Sequence, residues 1–269
     1  MGRLDDRVAI VTGGGRGIGQ ATSLRLASDG AAIVVNDIDD APANETVKLI
    51  SEAGGRAIAC VANTVDLAEA ERLTKAAVDE FGKLDILVNN AGTTRDKMFH
   101  GLDDATFDFV LDANLRTGFH STLAAMPYMR EAAKAEMAAA GAPAYNRKIV
   151  FTSSVAALMG NRGQFNYSAA KGAIISVVRT LAMELGPFSI NVNAVAPGFV
   201  ETRLTAAKEA DSVHGIPEEM RQMAKMMISL GRLGQPADIA AVTSFLVSTD
   251  SDFVSGVTIP VAGGQLGAM

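Results

Sequence analysis

The sequence has one cysteine, Cys60, in 269 residues. An intramolecular disulfide is excluded and nothing calls for an oxidising compartment, so the cytoplasm is the expected location. Basic charge is also in short supply: 24 Lys and Arg stand against 30 Asp and Glu, a net charge of −6. Nucleic acid and anionic membrane surfaces attract proteins through clustered cations, and neither is expected as a partner. No uninterrupted apolar run reaches the roughly 18 residues a spanning helix needs. The start, Met1-Gly2-Arg3-Leu4-Asp5-Asp6, is acidic where a secretory leader is basic, and Asp6 breaks the myristoylation pattern. The histidines His100, His120 and His214 lack a metal-ligand spacing, so no metal is expected.

What is present is apolar and periodic. Hydrophobic residues make up 48% and charged residues 20%, which suits a chain with a large core and excludes general disorder. Short β-branched runs recur at Val8–Thr12, Ala32–Val35, Ala57–Val61, Leu84–Asn89, Lys148–Thr152, Ile190–Val195 and Val257–Val261. They are apolar throughout, as in strands covered on both faces. Amphipathic stretches separate them, such as Ala68–Phe81 with Leu73, Ala76, Ala77 and Phe81 on one helical face. Strict alternation implies right-handed crossovers and an α/β fold: a doubly wound, Rossmann-like parallel sheet of about seven strands with helices on both faces. Its ligand crevice lies at the carboxyl ends of the strands.

No linker or repeat interrupts the alternation, so residues 1–269 read as a single domain. Residues 130–146 are Ala-rich and suit a helix extended into solvent and closed by Gly141 and Pro143. Residues 199–232 carry Met220, Met223, Met226 and Met227 behind Pro217-Glu218-Glu219, a helix start with Pro in its first turn. Spacing of this kind favours packing or a subunit contact, whereas methionine's adaptability suits a substrate lid over about 199–232.

The first strand runs into Thr12-Gly13-Gly14-Gly15-Arg16-Gly17-Ile18-Gly19 and then a helical run. Such a turn brings a pyrophosphate onto main-chain N–H groups at a helix N-terminus. With no Lys-Ser/Thr after Gly19, a triphosphate P-loop is excluded. The second strand ends at Asp37, about twenty residues on, where a carboxylate accepts from ribose hydroxyls and repels a 2′-phosphate. Arg16 pulls the other way, toward that phosphate or the pyrophosphate. NAD is therefore expected over NADP.

Tyr167 and Lys171 stand at i and i+4, on one helix face, so the ammonium approaches the phenol and is expected to lower its pKa from about 10 toward neutrality. Tyr167-Ser168-Ala169-Ala170-Lys171, with Thr12-Gly13-x-x-x-Gly17-x-Gly19 and Asn89-Asn90-Ala91-Gly92, resembles the short-chain dehydrogenase/reductase family over nearly the whole chain. By that resemblance Tyr167 gives a proton to a carbonyl oxygen as hydride arrives, or takes one from an alcohol. Ser154 shares the developing charge, and Asn114 holds a water that links Lys171 to solvent. The neighbouring Ser153 is expected to face away as a turn or capping hydroxyl. For the cofactor, the resemblance implies Gly13, Arg16, Gly17, Ile18 and Gly19 at the phosphates and Asp37 at the ribose. It implies Asn63 and Thr64 at the adenine, and Asn90, Ala91 and Gly92 on the cleft floor. Tyr167, Lys171, Pro197, Val200 and Thr202 fall on the nicotinamide side. Cys60 reads as an inert small hydrophobe.

Met159-Gly160-Asn161-Arg162-Gly163-Gln164-Phe165-Asn166-Tyr167 and Pro197-Gly198-Phe199-Val200-Glu201-Thr202 are similar to 3-oxoacyl-(acyl-carrier-protein) reductases, whereas Thr93-Thr94-Arg95-Asp96 resembles hydroxyacyl-CoA dehydrogenases. A 3-oxoacyl or 3-hydroxyacyl thioester is the expected substrate. Gly186-Pro187-Phe188 lacks the arginine that an acidic acyl carrier protein would dock on, which leaves an acyl-CoA or a free ketone open. A dehydrogenase of another alcohol, such as a sugar or steroid, and a non-catalytic nucleotide-binding regulator are the competing readings. The resemblance also implies a homotetramer.

Overall fold

The computed structural model describes residues 2–203, 205–206 and 216–265. His214 and part of the 199–232 segment lie outside them. The first half alternates β1 (Val8–Val11), α1 (Gly17–Ser28), β2 (Ala32–Asp37), α2 (Asp40–Glu52), β3 (Arg56–Val61), α3 (Leu67–Phe81) and β4 (Ile86–Asn89). Next come α4 (Asp104–Leu111), a π-helical turn at Asp112–Arg116, α5 (Thr117–Ala140) and β5 (Arg147–Thr152). The last part holds α6 (Ala156–Met159), α7 (Phe165–Leu185), β6 (Ile190–Pro197), α8 (Glu218–Met227), α9 (Pro236–Val247) and β7 (Thr258–Val261). The expected strands are all present with ends moved by one or two residues. Pro217 stands at the N-cap of α8 rather than in its first turn, and Gly141 caps α5 as expected.

All seven strands are parallel in the order β3-β2-β1-β4-β5-β6-β7. Strand alternation divides each strand between two cores. Val8, Ile10, Ala32 and Val34 pack with Leu73 and Ala77 of α3, Ala125 and Met129 of α5, and Ile174 and Val178 of α7. Ala9, Val11, Ile33 and Val35 pack with Leu26 of α1, Ala43 and Ile50 of α2, and Ile239 and Leu246 of α9. Each fully buried Leu or Ile contributes about 1.5–3 kcal/mol, and it is this double covering that makes the strands apolar along their length. Strand order reverses between β1 and β4, which opens a crevice at their carboxyl ends.

At the opposite, amino end of the sheet, buried Asp85 accepts from the Val8 amide at 2.9 Å and from the Tyr145 hydroxyl, and pairs with Lys83 at 3.2 Å. The Arg7 guanidinium lies 3.5 Å from the Tyr145 ring centre. This pin fastens the segment after α5 to the sheet, and it explains why 141–146 folds back rather than running on into solvent. No described helix is long and apolar enough to cross a membrane.

Candidate active site

The glycine turn bridges β1 and α1. Gly13 and Gly17 take φ of +60° and +52°, the left-handed region that glycine enters without a Cβ penalty. A Cβ on Gly19 would overlap the Gly13 carbonyl oxygen, so the turn closes directly over the helix start. Arg16 is the extended N-cap of α1 and provides no side-chain cap. The first amides of α1, Ile18 included, stay available to an anion. Thr12, read in the sequence only as a letter of the motif, braces the turn: its Oγ1 accepts from the Asn90 and Ala91 amides, both at 3.0 Å. The Asn90 side-chain Nδ2 donates to the carbonyls of Thr12 and Gly13 at 3.0 and 3.2 Å, so its donors are committed to shaping the floor.

At the end of β2 the Asp37 carboxylate accepts from the Gly15 amide at 3.0 Å and the Asp39 amide at 3.2 Å. The Arg16 guanidinium is held by Asp39 at 2.6 Å. Past β3, exposed Asn63 accepts from the Val65 amide at 3.2 Å in an Asx turn, and Thr64 is buried beside it.

Tyr167 sits in the first turn of α7 and Lys171 one turn on. The Lys171 Nζ is 5.6 Å from the phenol ring centre and donates to the Thr152 carbonyl at 2.8 Å. Burial draws the amine down to about 7 and pushes the phenol up to about 12; the Asp96 carboxylate adds to the rise, and the Ser154 hydroxyl opposes it. Against the expectation that Lys171 acidifies Tyr167, burial raises the phenol rather than lowering it. Desolvation outweighs a lysine whose own charge is disfavoured and whose ammonium faces β5. Ser154 caps the turn after β5, its hydroxyl accepting from the Ala156 amide at 3.2 Å. Ser153 does not serve as a local cap: it is buried and donates to the Lys171 carbonyl at 2.8 Å, fastening α7 to the strand end.

Asn114 lies in the π-helical turn, not in regular helix, and its Nδ2 donates to the carbonyls of Thr93 at 2.7 Å and Val110 at 2.8 Å. Its buried Oδ1 has no hydrogen-bond partner. A Cβ on Gly92 would overlap that oxygen and come within 3.2 Å of the Lys171 Nζ. Gly92 thus lets the orphaned Asn114 oxygen and the Lys171 amine both pack against its backbone. Across the crevice, the Thr202 methyl would be 3.4 Å from a Cβ on Gly17, so the post-β6 segment reaches the glycine turn. Thr205, absent from the sequence reading, shapes that segment by donating to the Val200 carbonyl and accepting from the Thr202 amide at 2.9 Å. Pro197 ends β6 and accepts from the Val155 amide at 3.0 Å. A cleft of about 450 Å³ opens beside the start of α7, lined by Lys97, Met98, Phe99 and Phe165 among others.

The uncapped helix start, the glycine turn closed tightly over it, and the orphaned Asn114 oxygen near an amine fit an extended dinucleotide with its reactive end at Tyr167. The remaining candidates show no catalytic pairing among the described residues. Exposed His100 follows Phe99 at the cleft wall, the Nδ1 of half-buried His120 bonds the Val65 carbonyl at 2.9 Å, and burial pushes the Cys60 thiol up, away from the reactive thiolate.

The family model described as short chain dehydrogenase matches residues 7–213. The chain is 36% identical to 3-oxoacyl-(acyl-carrier-protein) reductase FabG of Thermotoga maritima, over 97% of this chain and 98% of that one. It is 41% identical to the short-chain reductase protein NovJ of Streptomyces niveus, over 97% and 94%. The solved structure of a 7α-hydroxysteroid dehydrogenase complexed with NADH and 7-oxo glycochenodeoxycholic acid superposes with a TM-score of 0.85 at 33% identity, covering 97% of this chain and 94% of that one.

Proposed function

The chain belongs to the short-chain dehydrogenase family, and from that premise we propose that it interconverts a 3-oxoacyl and a 3-hydroxyacyl thioester, with NAD as its cofactor. The observation that carries this reading is the convergence of Ser154, Tyr167 and Lys171 at the carboxyl end of the sheet, one crevice away from the glycine turn. The nicotinamide supplies or accepts the hydride when bound. Tyr167, protonated across the neutral range, donates its phenolic proton to the substrate oxygen during reduction. Ser154 donates to the same oxygen and shares the charge that builds there. Lys171, with Asn114 packed near it at Gly92, lies on the side from which a proton returns to the phenol.

NAD is supported by Asp37, whose buried carboxylate lies against the Gly15 amide, and by Asp39, which occupies the Arg16 guanidinium that would otherwise meet a 2′-phosphate. The thioester rests on likeness to the Thermotoga reductase and on the apolar cleft walls. The uncharged Gly186–Phe188 turn favours a coenzyme A thioester over one carried on an acidic protein. Exposed Phe119 and Leu123 on α5 and Met183 on α7 support association of copies, and the number four rests on the family resemblance alone.

Steady-state turnover of a short 3-oxoacyl-CoA, the same acyl group on a carrier protein, and a panel of steroid and sugar ketones, each with NADH and NADPH, tests the assignment. The highest kcat/KM is expected for the acyl-CoA with NADH. A steroid or sugar ketone ahead of both thioesters would overturn the substrate, and NADPH ahead of NADH would overturn the cofactor.

A further inference from the structure

Asn166, the residue before the candidate proton donor, is completely buried, and its polar atoms all have partners. The Nδ2 donates to the Arg95 carbonyl at 3.2 Å, in the loop after β4, and to the Thr106 carbonyl at 3.4 Å, in α4. The Oδ1 accepts from the amide of Tyr167 itself at 2.9 Å. That amide belongs to the first turn of α7, where main-chain donors have no partner within the helix. One side chain therefore fixes the main chain that carries the phenol to two segments distant in sequence.

Two further bonds run parallel to it. The Lys97 amide donates to the Gly163 carbonyl at 2.8 Å, and the Gln164 Nε2 donates to the Asp96 carboxylate at 2.9 Å. The loop after β4 and the approach to α7 are thus joined along residues 95–97 and 163–166, and the cleft beside α7 is walled by both. Of the side chains that make these links, Asn166 is the completely buried one, so its bonds are better shielded from solvent than the exposed Gln164–Asp96 pair.

Given the role assigned above to Tyr167, we infer that Asn166 is a positioning residue for proton transfer: its amide sets where the phenol stands relative to the loop that walls the cleft. It touches neither substrate nor cofactor. Catalytic groups displaced by about 1 Å lose on the order of a hundredfold in rate, so a positioning residue acts on kcat and leaves cofactor affinity alone.

Two variants test this in the full-length enzyme with cofactor bound. Asn166→Asp keeps shape and acceptor but loses both donors; Asn166→Ser keeps a hydroxyl for the Tyr167 amide and provides a second reading should the buried carboxylate prevent folding. Turnover is expected to fall about 10- to 100-fold in each folded variant, with KM for the nicotinamide changed by less than about threefold. Hydrogen exchange, read independently of turnover, is expected to quicken at residues 93–97 and at the start of α7. Unchanged kcat in a folded variant, or kcat, cofactor KM and thermal midpoint all failing together, would overturn the inference. So would exchange at 93–97 identical to wild type. A wild-type enzyme inactive on every ketone would instead overturn the functional reading, while quickened exchange in the variants would still establish the clamp.

Discussion

Lys171 is held by the strand it faces: its Nζ donates to the Thr152 carbonyl, while its own carbonyl accepts from the Ser153 hydroxyl, each at 2.8 Å. The two bonds place an amine deep in the crevice without a carboxylate partner. Burying a charge unpaired is costly, so the protein draws this amine down to about 7 from its ordinary 10.5.

A pH dependence follows from this. The unfolded chain binds the Lys171 proton up to its ordinary 10.5, the folded chain only to about 7. Between those values the unfolded state carries more protons, so stability rises with pH there, and below the window the whole cost is felt. Lys171→Met removes the cost. Calorimetry of the cofactor-free protein is expected to show its gain in thermal midpoint over wild type largest on the acid side and shrinking as pH climbs through the window. A gain that grows with pH would contradict the assignment.

Two glycines provide a paired test of packing. Gly19→Ala drives a methyl into the Gly13 carbonyl and is expected to abolish cofactor binding, measured by fluorescence titration. Gly172, within α7, faces open space, so Gly172→Ala is expected to stabilise by about 0.5–1 kcal/mol in urea unfolding with turnover intact.

Asp37→Ala is expected to narrow the preference for NAD over NADP, and Asp39→Ala, which frees Arg16, to narrow it further in combination. Ratios of kcat/KM for the two cofactors read this directly. A wild type that already prefers NADP would contradict it.

At the far end of the sheet, Tyr145→Phe deletes the hydroxyl bonded to the buried Asp85 carboxylate. A cost of about 1.5–3 kcal/mol is expected in urea unfolding, with kcat unaltered, since the pin lies at the amino ends of the strands and the crevice at the carboxyl ends. A matching loss of kcat would show that the two ends are coupled.

Much of this was legible in the residues. The runs from Val8 and Ala32 read as strands because both of their faces are covered, and Tyr167 with Lys171 stand one turn apart because α7 is regular there. What escaped the sequence depends on pairing across distance. The buried amide of Asn166 gets its meaning from carbonyls 60 and 71 residues away, and Thr205 from a loop whose path no periodicity encodes. Ser153 follows Ile149 and Phe151 on the α7 side of the strand, as alternation predicts, but its bond to the Lys171 carbonyl 18 residues away is one that no local pattern encodes. The sign of the Tyr167 shift escaped for a related reason: spacing reveals a neighbouring amine, but not how much water both groups have lost.

Single-turnover mixing of Tyr167→Phe with bound reduced nicotinamide and a 3-oxoacyl thioester is the most direct measurement. If the phenol supplies the proton, reduction slows by about 10²–10⁴-fold while cofactor affinity stays within a few-fold of wild type. Reduction at the wild-type rate would show that another group delivers the proton and that Tyr167 only packs the crevice.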